Sequence, residues 1–213
     1  MVRHFLDSDW LAPNVMRVAV DPAVAKSFAD LADPVLPAGF HVARPAWESD
    51  IRWISAGDEA TFARFQSAFD ALDVARHVAE YVAVDRAIRM YQGFVVVRSE
   101  CAKEDFHLDW KDTGNQAFTL LTPVGPPPTA GFGLHFKTLT GETRSYEYRE
   151  GEALIFGDHF VHSTAPGRSD PPTALLCFNF GTDRMADWPA IRNTAGHQGG
   201  RVRRPDGRFE PSA

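Results

Sequence analysis

Three side chains in this sequence have the types and the spacing of a metal-binding site. His107 and Asp109 form a His-x-Asp pair, and His162 follows much later in the chain. Two imidazoles and one carboxylate are the ligand set that holds Fe(II) on one face and leaves the opposite face open. That open face can accept a chelating anion and O2, because the three ligands do not fully neutralise the ion. The sequence therefore predicts a non-haem iron site.

The spacing of these residues also predicts the elements that position them. Side chains two residues apart on a β-strand point to the same face, so His107 and Asp109 can hold one ion together. His162 must then come from a strand that is not adjacent in sequence, which a rolled sheet would bring close. His159 is the alternative third ligand, whereas His135 is expected to face solvent or to lie behind the ligands.

The rest of the chain predicts a mainly β fold with flanking helices. Prolines interrupt residues 1–57, and phenylalanines at helical spacing predict a helix over residues 59–82 with a break near Asp73. From residue 86 the apolar period changes to two and turn residues multiply. The candidate strands are 93–98, 106–109, 117–124, 133–139, 144–149, 153–156, 162–164 and 173–180. Short strands separated by frequent turns favour a sandwich or a rolled barrel.

Composition and charge limit the possible partners and locations. The chain of 213 residues has a net charge of −6, which argues against a nucleic-acid partner. It contains no long apolar run, so we expect no membrane span. Its two cysteines suit a reducing compartment, and the acidic residues near the N-terminus do not fit a signal peptide. We therefore expect a cytoplasmic protein.

The same features divide the chain into three predicted parts. Residues 1–85 form a mixed, partly helical N-terminal elaboration that packs on the core, and residues 86–183 form the catalytic β core. Residues 184–213 form a Gly/Arg-rich C-terminal extension. We expect this extension to be loosely ordered at the surface, because its composition offers little apolar area to bury. The sequence assigns no oligomeric state.

Several motifs occur in the order that is typical of one known family. They are a strand ending in Arg98, the His107-x-Asp109 pair, Ala117-Phe118-Thr119-Leu120-Leu121, Gly131-Phe132-Gly133-Leu134-His135-Phe136, and Gly151-Glu152-Ala153-Leu154-Ile155-Phe156 with His162 six residues later. Each motif alone is weak, but their order and intervals together are more specific. Over residues 90–182 the pattern resembles the Fe(II)/2-oxoglutarate-dependent oxygenase superfamily.

This resemblance implies a double-stranded β-helix core (a jelly roll, cupin-like) and a dioxygenase that uses Fe(II), 2-oxoglutarate and O2. It implies that His107, Asp109 and His162 are the metal ligands. It also implies hydroxylation of a C–H bond, because related halogenases carry a small residue in place of Asp109. The implied substrate is a small molecule, an amino acid or a peptide side chain.

One position departs from the family pattern. Members usually carry Arg or Lys near the start of the last strand, where it pairs with the far carboxylate of 2-oxoglutarate, and Thr173 stands there in this chain. A dianion in a partly dry pocket needs a charged hydrogen-bond partner. We expect Arg168, or else Lys137 or Arg144, to replace the missing cation. Arg98 and Trp110 are predicted to contact the substrate, and Arg98 is also a candidate for the co-substrate carboxylate.

Thr173 also leaves two other hypotheses open. A cupin-type metalloenzyme would bind a metal in the same kind of core without using 2-oxoglutarate. A non-catalytic jelly-roll binding module would bind no metal. Stoichiometric metal binding and 2-oxoglutarate binding, measured together, distinguish these hypotheses from the oxygenase.

Overall fold

Strands make up most of the ordered elements in this protein. The computed structural model describes residues 6–7, 10–45, 50–127 and 131–212. The strands are β1 (Leu6–Asp7), β2 (Ala12–Pro13), β3 (Val15–Ala19), β4 (Phe40–Ala43), β5 (Arg52–Ala56), β6 (Arg89–Cys101), β7 (Ala117–Pro123), β8 (Leu134–Lys137), β9 (Thr143–Tyr146), β10 (Glu152–Phe156), β11 (His162–Thr164), β12 (Gly167–Gly181), β13 (Arg201–Arg203) and β14 (Phe209–Pro211). The helices are α1 (Pro22–Lys26), α2 (Glu59–Ala71), α3 (Val74–Val78) and α4 (Trp188–Ala195), with a 3-10 turn at Ala29–Ala32.

Two antiparallel sheets form the framework of the site. The larger sheet has the strand order β3-β10-β7-β12-β6-β5-β4, and the smaller has the order β11-β8-β9. An apolar cluster that includes Trp10, Phe136, Phe156 and Phe160 draws its members from both sheets. The predicted mainly β architecture with flanking helices is therefore confirmed. The strand expected at residues 106–109 is reduced to a single bridge at His107.

The larger sheet separates a helix-covered core from a cavity. On β12, Leu176 and Phe178 belong to the core beneath the helices, whereas Leu175 and Cys177 line a cavity on the other face. This alternation follows from the two-residue period of a strand. Because β6 and β7 flank β12, the same alternation aims one face of three neighbouring strands at the cavity.

Helix α2 begins as the sequence predicts and ends earlier. Asp58 and Thr61 form a capping box, in which the Asp58 side chain accepts from the Thr61 backbone and the Thr61 hydroxyl accepts from the Asp58 backbone. The helix ends at residue 71 instead of continuing to 82. Asp73 adopts a left-handed backbone with φ of 49°, which a regular helix excludes, and the separate short helix α3 follows.

Strands from the first 85 residues join the larger sheet at both edges. β3 pairs with β10, and β5 pairs with β6 and β4. The division of the chain at residue 85 stays a prediction. Among the residues that the structure describes, no helix has both the length and the apolar character needed to cross a bilayer.

The C-terminal segment is ordered, which corrects the expectation of a loose extension. It contains α4 and the hairpin of β13 and β14. Trp188, Ile191 and Val202 from this segment are buried in one cluster with Tyr91 and Trp110. The apolar residues 188, 191 and 195 recur at helical spacing and give α4 a face that packs on the β core.

Candidate metal centre

Backbone pairing brings the two histidines of the predicted triad together. His107 and His162 exchange both backbone hydrogen bonds, each N–H donating to the other carbonyl at 3.0 Å. They are therefore direct neighbours across an antiparallel bridge, and their ring centroids lie 4.6 Å apart.

Asp109 completes the cluster from the same side. Its Oδ1 lies 3.6 Å from Nε2 of His107 and 3.8 Å from Nε2 of His162. One ligand atom from each of the three residues lies within 4.8 Å of the others. Imidazole nitrogen and carboxylate oxygen bind divalent metals at about 2.0–2.2 Å, so two ligands of one ion lie up to about 4.2 Å apart. Both carboxylate–imidazole distances therefore fit a shared ion.

Hydrogen bonds fix the orientation of both imidazole rings. Nδ1 of His107 lies 2.7 Å from the carbonyl oxygen of Asp105, and Nδ1 of His162 lies 3.1 Å from that of Phe160. A carbonyl only accepts, so each Nδ1 carries the hydrogen and each Nε2 keeps its lone pair. The Nε2 lone pairs face the cluster. Both rings are therefore in the tautomer whose Nε2 can bind a metal.

Burial favours the neutral form of His162. Its side chain is 7% exposed, and burial lowers the pKa of the imidazole, although the Asp109 carboxylate acts in the opposite direction. Neutral imidazole is the form that binds metals. His107 is 51% exposed and lies on the open side of the cluster.

The triad lies in the wall of a cavity of about 480 Å³. Strands β6, β7 and β12 contribute Phe94, Val96, Arg98, Thr119, Leu121, Leu175 and Cys177 to its lining. Trp53 of β5 and the segment around α4 also line it, the latter with Asn193, Thr194, His197 and Gln198. The metal face of the cluster is therefore open to a space that both the β core and the C-terminal segment enclose.

Arg98 is the buried cation of this cavity. It is 8% exposed and lines both the triad cavity and an adjoining cavity of about 620 Å³. Its direct neighbour across the β6–β12 ladder is Thr173, whose hydroxyl donates to the Arg98 carbonyl at 3.2 Å. Directly opposed residues of an antiparallel pair project to the same face. The guanidinium of Arg98 thus stands opposite the position where the family pattern expects a cation.

Tyr148 lies beside Arg98 and was not found from the sequence. It lines both cavities and is 8% exposed. Burial raises the pKa of its hydroxyl well above the ordinary value, with a smaller opposing effect from Arg98. The hydroxyl therefore stays protonated and can donate a hydrogen bond to an anion next to the guanidinium.

None of the three cations that we expected to replace Thr173 lines the triad cavity, and Arg144 pairs with Glu142 at 3.4 Å. Arg168 has a side chain that is 79% exposed, pairs with Glu100 at 2.7 Å and lies at the adjoining cavity. Lys137 projects from the outer face of β8, where its Nζ donates to Thr143 at 2.6 Å and lies 4.4 Å from the ring centroid of Phe106.

Trp110 lies in the protein interior and not at the substrate side of the cavity, where we expected it from the sequence. Its side chain is completely buried in the cluster beneath α4, and its Nε1 donates to Thr119 at 3.0 Å. The prediction that it contacts substrate is therefore corrected. His159 and His135 lie outside the metal cluster among the described residues, and His135 pairs with Glu104.

Solved structures share this architecture at low sequence identity. No protein-family model matches the sequence, and no curated protein matches it. The epimerase SnoN from nogalamycin biosynthesis, which depends on α-ketoglutarate (2-oxoglutarate), is 12% identical and aligns over 80% of this chain and 79% of its own, with a TM-score of 0.59. HygX from Streptomyces hygroscopicus, with nickel and 2-oxoglutarate bound, is 12% identical over 84% and 88%, with a TM-score of 0.59.

A third similar structure is a Pseudomonas putida prolyl-4-hydroxylase, 16% identical over 79% of this chain and 92% of its own, with a TM-score of 0.56. At these identities the comparison establishes the fold. The chain has the double-stranded β-helix fold of the Fe(II)/2-oxoglutarate-dependent oxygenases.

Proposed function

We propose that this protein is a non-haem Fe(II) and 2-oxoglutarate-dependent oxygenase whose metal ligands are His107, Asp109 and His162. The observation that carries the proposal is the convergence of their three ligand atoms within 4.8 Å at the wall of a cavity that also contains a buried arginine. The donor set suits Fe(II), and both rings present Nε2. When bound, the iron supplies the activation of O2, with 2-oxoglutarate as the electron source.

In this proposal Arg98 and Tyr148 hold the far carboxylate of 2-oxoglutarate. The guanidinium provides charge, and the protonated phenol provides a second donor. The apolar side chains of Leu121, Leu134 and Leu175 line the same cavity and suit the methylene groups between the two carboxylates. Arg98 thus takes the part that the family pattern gives to the residue at Thr173, and Arg168 stays an exposed surface cation.

We propose a small molecule, an amino acid or a peptide side chain as the substrate that is hydroxylated. Trp53, Asn193 and His197 line the side of the cavity that the C-terminal segment covers, and we assign the substrate to that side. The named neighbours support this range, since HygX has been solved with hygromycin B and a Trichoplax adhaerens prolyl hydroxylase with a peptide fragment.

Cys101 and Cys177 are both free thiols, which supports a reducing compartment such as the cytoplasm.

The proposal is tested by adding Fe(II) and then 2-oxoglutarate under anaerobic conditions and recording the visible absorption spectrum. A weak charge-transfer band should form with the wild type and should be lost in His107→Ala. Arg98→Ala should raise the Kd for 2-oxoglutarate by roughly 10–100-fold, because a hydrogen bond to a charged group contributes about 1.5–3 kcal/mol. Arg168→Ala is the matched control and should leave that Kd unchanged.

Other results would select one of the remaining hypotheses. Iron binding at one equivalent without the band, and without succinate formation in air, would favour a cupin-type metalloenzyme that does not use 2-oxoglutarate. Failure of the wild type to bind a divalent metal would favour a non-catalytic binding module. An Arg168→Ala effect as large as that of Arg98→Ala would return the carboxylate site to Arg168.

A further inference from the structure

The carboxylate of Asp109 is held from behind by a buried threonine. Thr119 of β7 is 1% exposed, and its Oγ1 donates to Oδ2 of Asp109 at 2.8 Å. The same oxygen accepts a hydrogen bond from Nε1 of Trp110 at 3.0 Å. The Trp110 and Thr119 side chains therefore form a chain of hydrogen bonds that ends at Oδ2 of Asp109.

The chemistry of these groups fixes the direction of the hydrogen bonds. An indole N–H can only donate, and a threonine hydroxyl has a single hydrogen. The Thr119 oxygen accepts from Trp110, so its own hydrogen must go to Asp109 or to Oδ1 of Asn179, which lies at 3.2 Å. The carboxylate is nearer and charged, so it receives the hydrogen.

This arrangement leaves the two oxygens of Asp109 with different functions. Oδ2 is occupied by Thr119, while Oδ1 faces Nε2 of His107 and Nε2 of His162 at 3.6 and 3.8 Å. We propose that Thr119 and Trp110 are positioning residues that make Asp109 bind the metal through Oδ1 alone. This inference rests on the metal site of the proposed function and adds the residues that orient it.

The same residues connect the metal ligand to the C-terminal segment. The Trp110 ring is packed in the cluster that contains Trp188 and Ile191 of α4. The hydroxyl of Thr194, also on α4, donates to the backbone carbonyl of Asp109 at 2.6 Å. Both the side chain and the backbone of Asp109 are thus held by contacts that depend on the position of α4.

The test is an anaerobic Fe(II) titration, repeated with Co(II), whose visible spectrum reports coordination geometry. Thr119→Val keeps the shape and removes the hydroxyl, and it should weaken metal binding by about 10–100-fold, as changes behind a ligand typically do. It should also alter the spectrum of bound Co(II). Thr119→Ser restores the hydroxyl and should restore both the affinity and the spectrum.

Thr122→Val is the matched control. Thr122 lies on the same strand, is equally buried and donates to the backbone carbonyl of Glu152 at 3.0 Å, so its loss costs a similar buried hydrogen bond away from the triad. It should leave the metal affinity unchanged. Trp110→Phe keeps an aromatic ring without the N–H. It should weaken binding by less than Thr119→Val, because the Thr119 hydroxyl remains and can still donate to Asp109 although it loses the Trp110 contact that orients it.

If Thr119→Val does not fold, the metal affinity and Co(II) spectrum of Trp110→Phe test the inference instead. The inference is overturned if the folded Thr119→Val and Trp110→Phe variants bind metal with wild-type affinity and spectrum, or if Thr122→Val weakens binding to the same degree. A wild-type protein that binds no metal would instead reject the proposed function itself. Wild-type binding combined with unchanged variants rejects only the assignment of Thr119 and Trp110.

Discussion

His162 and His107 present the same ring nitrogen, Nε2, to the candidate metal site from different surroundings. His162 is buried, with ring centroids 4.7 Å from Phe156 and 5.4 Å from Phe160. His107 is half exposed at the edge of the smaller sheet. Replacing His162 therefore removes packing as well as a proposed ligand, whereas replacing His107 removes a proposed ligand at little cost in buried area. His107 is for this reason the better position for testing metal binding without loss of the fold.

At Asp109 we predict that substitution by Ala removes both metal binding and turnover. The variant loses one of the three proposed ligands and the negative charge of the triad, so its Fe(II) affinity should fall by more than the roughly 10–100-fold typical of changes behind a ligand. Iron content after anaerobic loading and succinate formation measure the two effects. His135→Ala removes an imidazole outside the cluster and should retain both properties. Turnover by Asp109→Ala at the wild-type rate would remove Asp109 from the site.

The convergence of His107, Asp109 and His162 could be predicted from sequence because their spacing survives in the fold, but the choice between Arg98 and Arg168 as the cation of the cavity could not. Arg168 is nearer to His162 in sequence, yet β12 bulges between residues 168 and 173, and β6 does not bulge with it. The bulge places Arg168 opposite Glu100 and Thr173 opposite Arg98. Such a register depends on pairing between distant strands, which no local pattern in the sequence encodes.

At the scale of elements, Gly93 allows helix α2 to lie close against β6. A Cβ at residue 93 would lie 2.5 Å from Cβ of Phe65, which is fully buried on α2. Gly93→Val should therefore lower the free energy of unfolding by about 1–3 kcal/mol through overpacking. Urea unfolding measures the change. Gly125→Ala is the control, because a Cβ there meets nothing within 4 Å, and equal midpoints for both variants would contradict the prediction.

The stability of the contact between Asp183, just after β12, and the backbone of residues 85–87, just before β6, should depend on pH. Burial alone would raise the pKa of this carboxyl, but backbone N–H groups of Asp85, Arg86 and Ala87 donate to it at 2.7–3.1 Å and lower the pKa overall. A lowered folded-state pKa means that the stabilisation is complete above the unfolded value of about 3.9 and is lost as pH falls through the folded value.

Asp183→Ala should accordingly lower the free energy of unfolding at pH 7 by about 1–3 kcal/mol, because three backbone donors lose their acceptor. The difference from the wild type should shrink as the pH falls below about 4 toward the lowered folded-state pKa, at which the wild-type carboxylate becomes protonated. Chemical unfolding at a series of pH values checks this. Asp170→Asn, at an exposed position of β12, is the control and should leave the free energy of unfolding at pH 7 nearly unchanged. A constant deficit in Asp183→Ala at all pH values would argue against the mechanism.

At the scale of the whole molecule, the C-terminal segment shares a buried cluster with Trp110, the residue next to Asp109 of the candidate metal site. Its positive charge and its glycines led us to expect a loose extension, but the informative signal was the apolar spacing of residues 188, 191 and 195. That spacing is short and lies among polar residues, so it predicts a helix only if a partner surface is known. Tyr91 and Trp110 provide that surface, and the fold alone brings them together.

We therefore predict that Ile191→Ala destabilises the whole protein. Ile191 is fully buried against the β core, and removing such a side chain costs about 2–5 kcal/mol. Because the cluster includes Trp110, thermal unfolding followed by tryptophan fluorescence and by far-UV circular dichroism should remain one transition at a lower Tm. Arg192→Ala, at the exposed next position of α4, should leave the Tm nearly unchanged.

The two signals distinguish an integrated segment from an appended one. If α4 were an independent extension, Ile191→Ala would add an early fluorescence change while the circular dichroism transition stayed at the wild-type temperature. If α4 shares the core, both signals shift together. Metal affinity then falls with them, because Thr194 donates to the Asp109 carbonyl and Trp110 is connected to the Asp109 carboxylate through Thr119. If the variant has a lower Tm but binds metal with wild-type affinity at temperatures where it is folded, α4 contributes to stability without positioning Asp109.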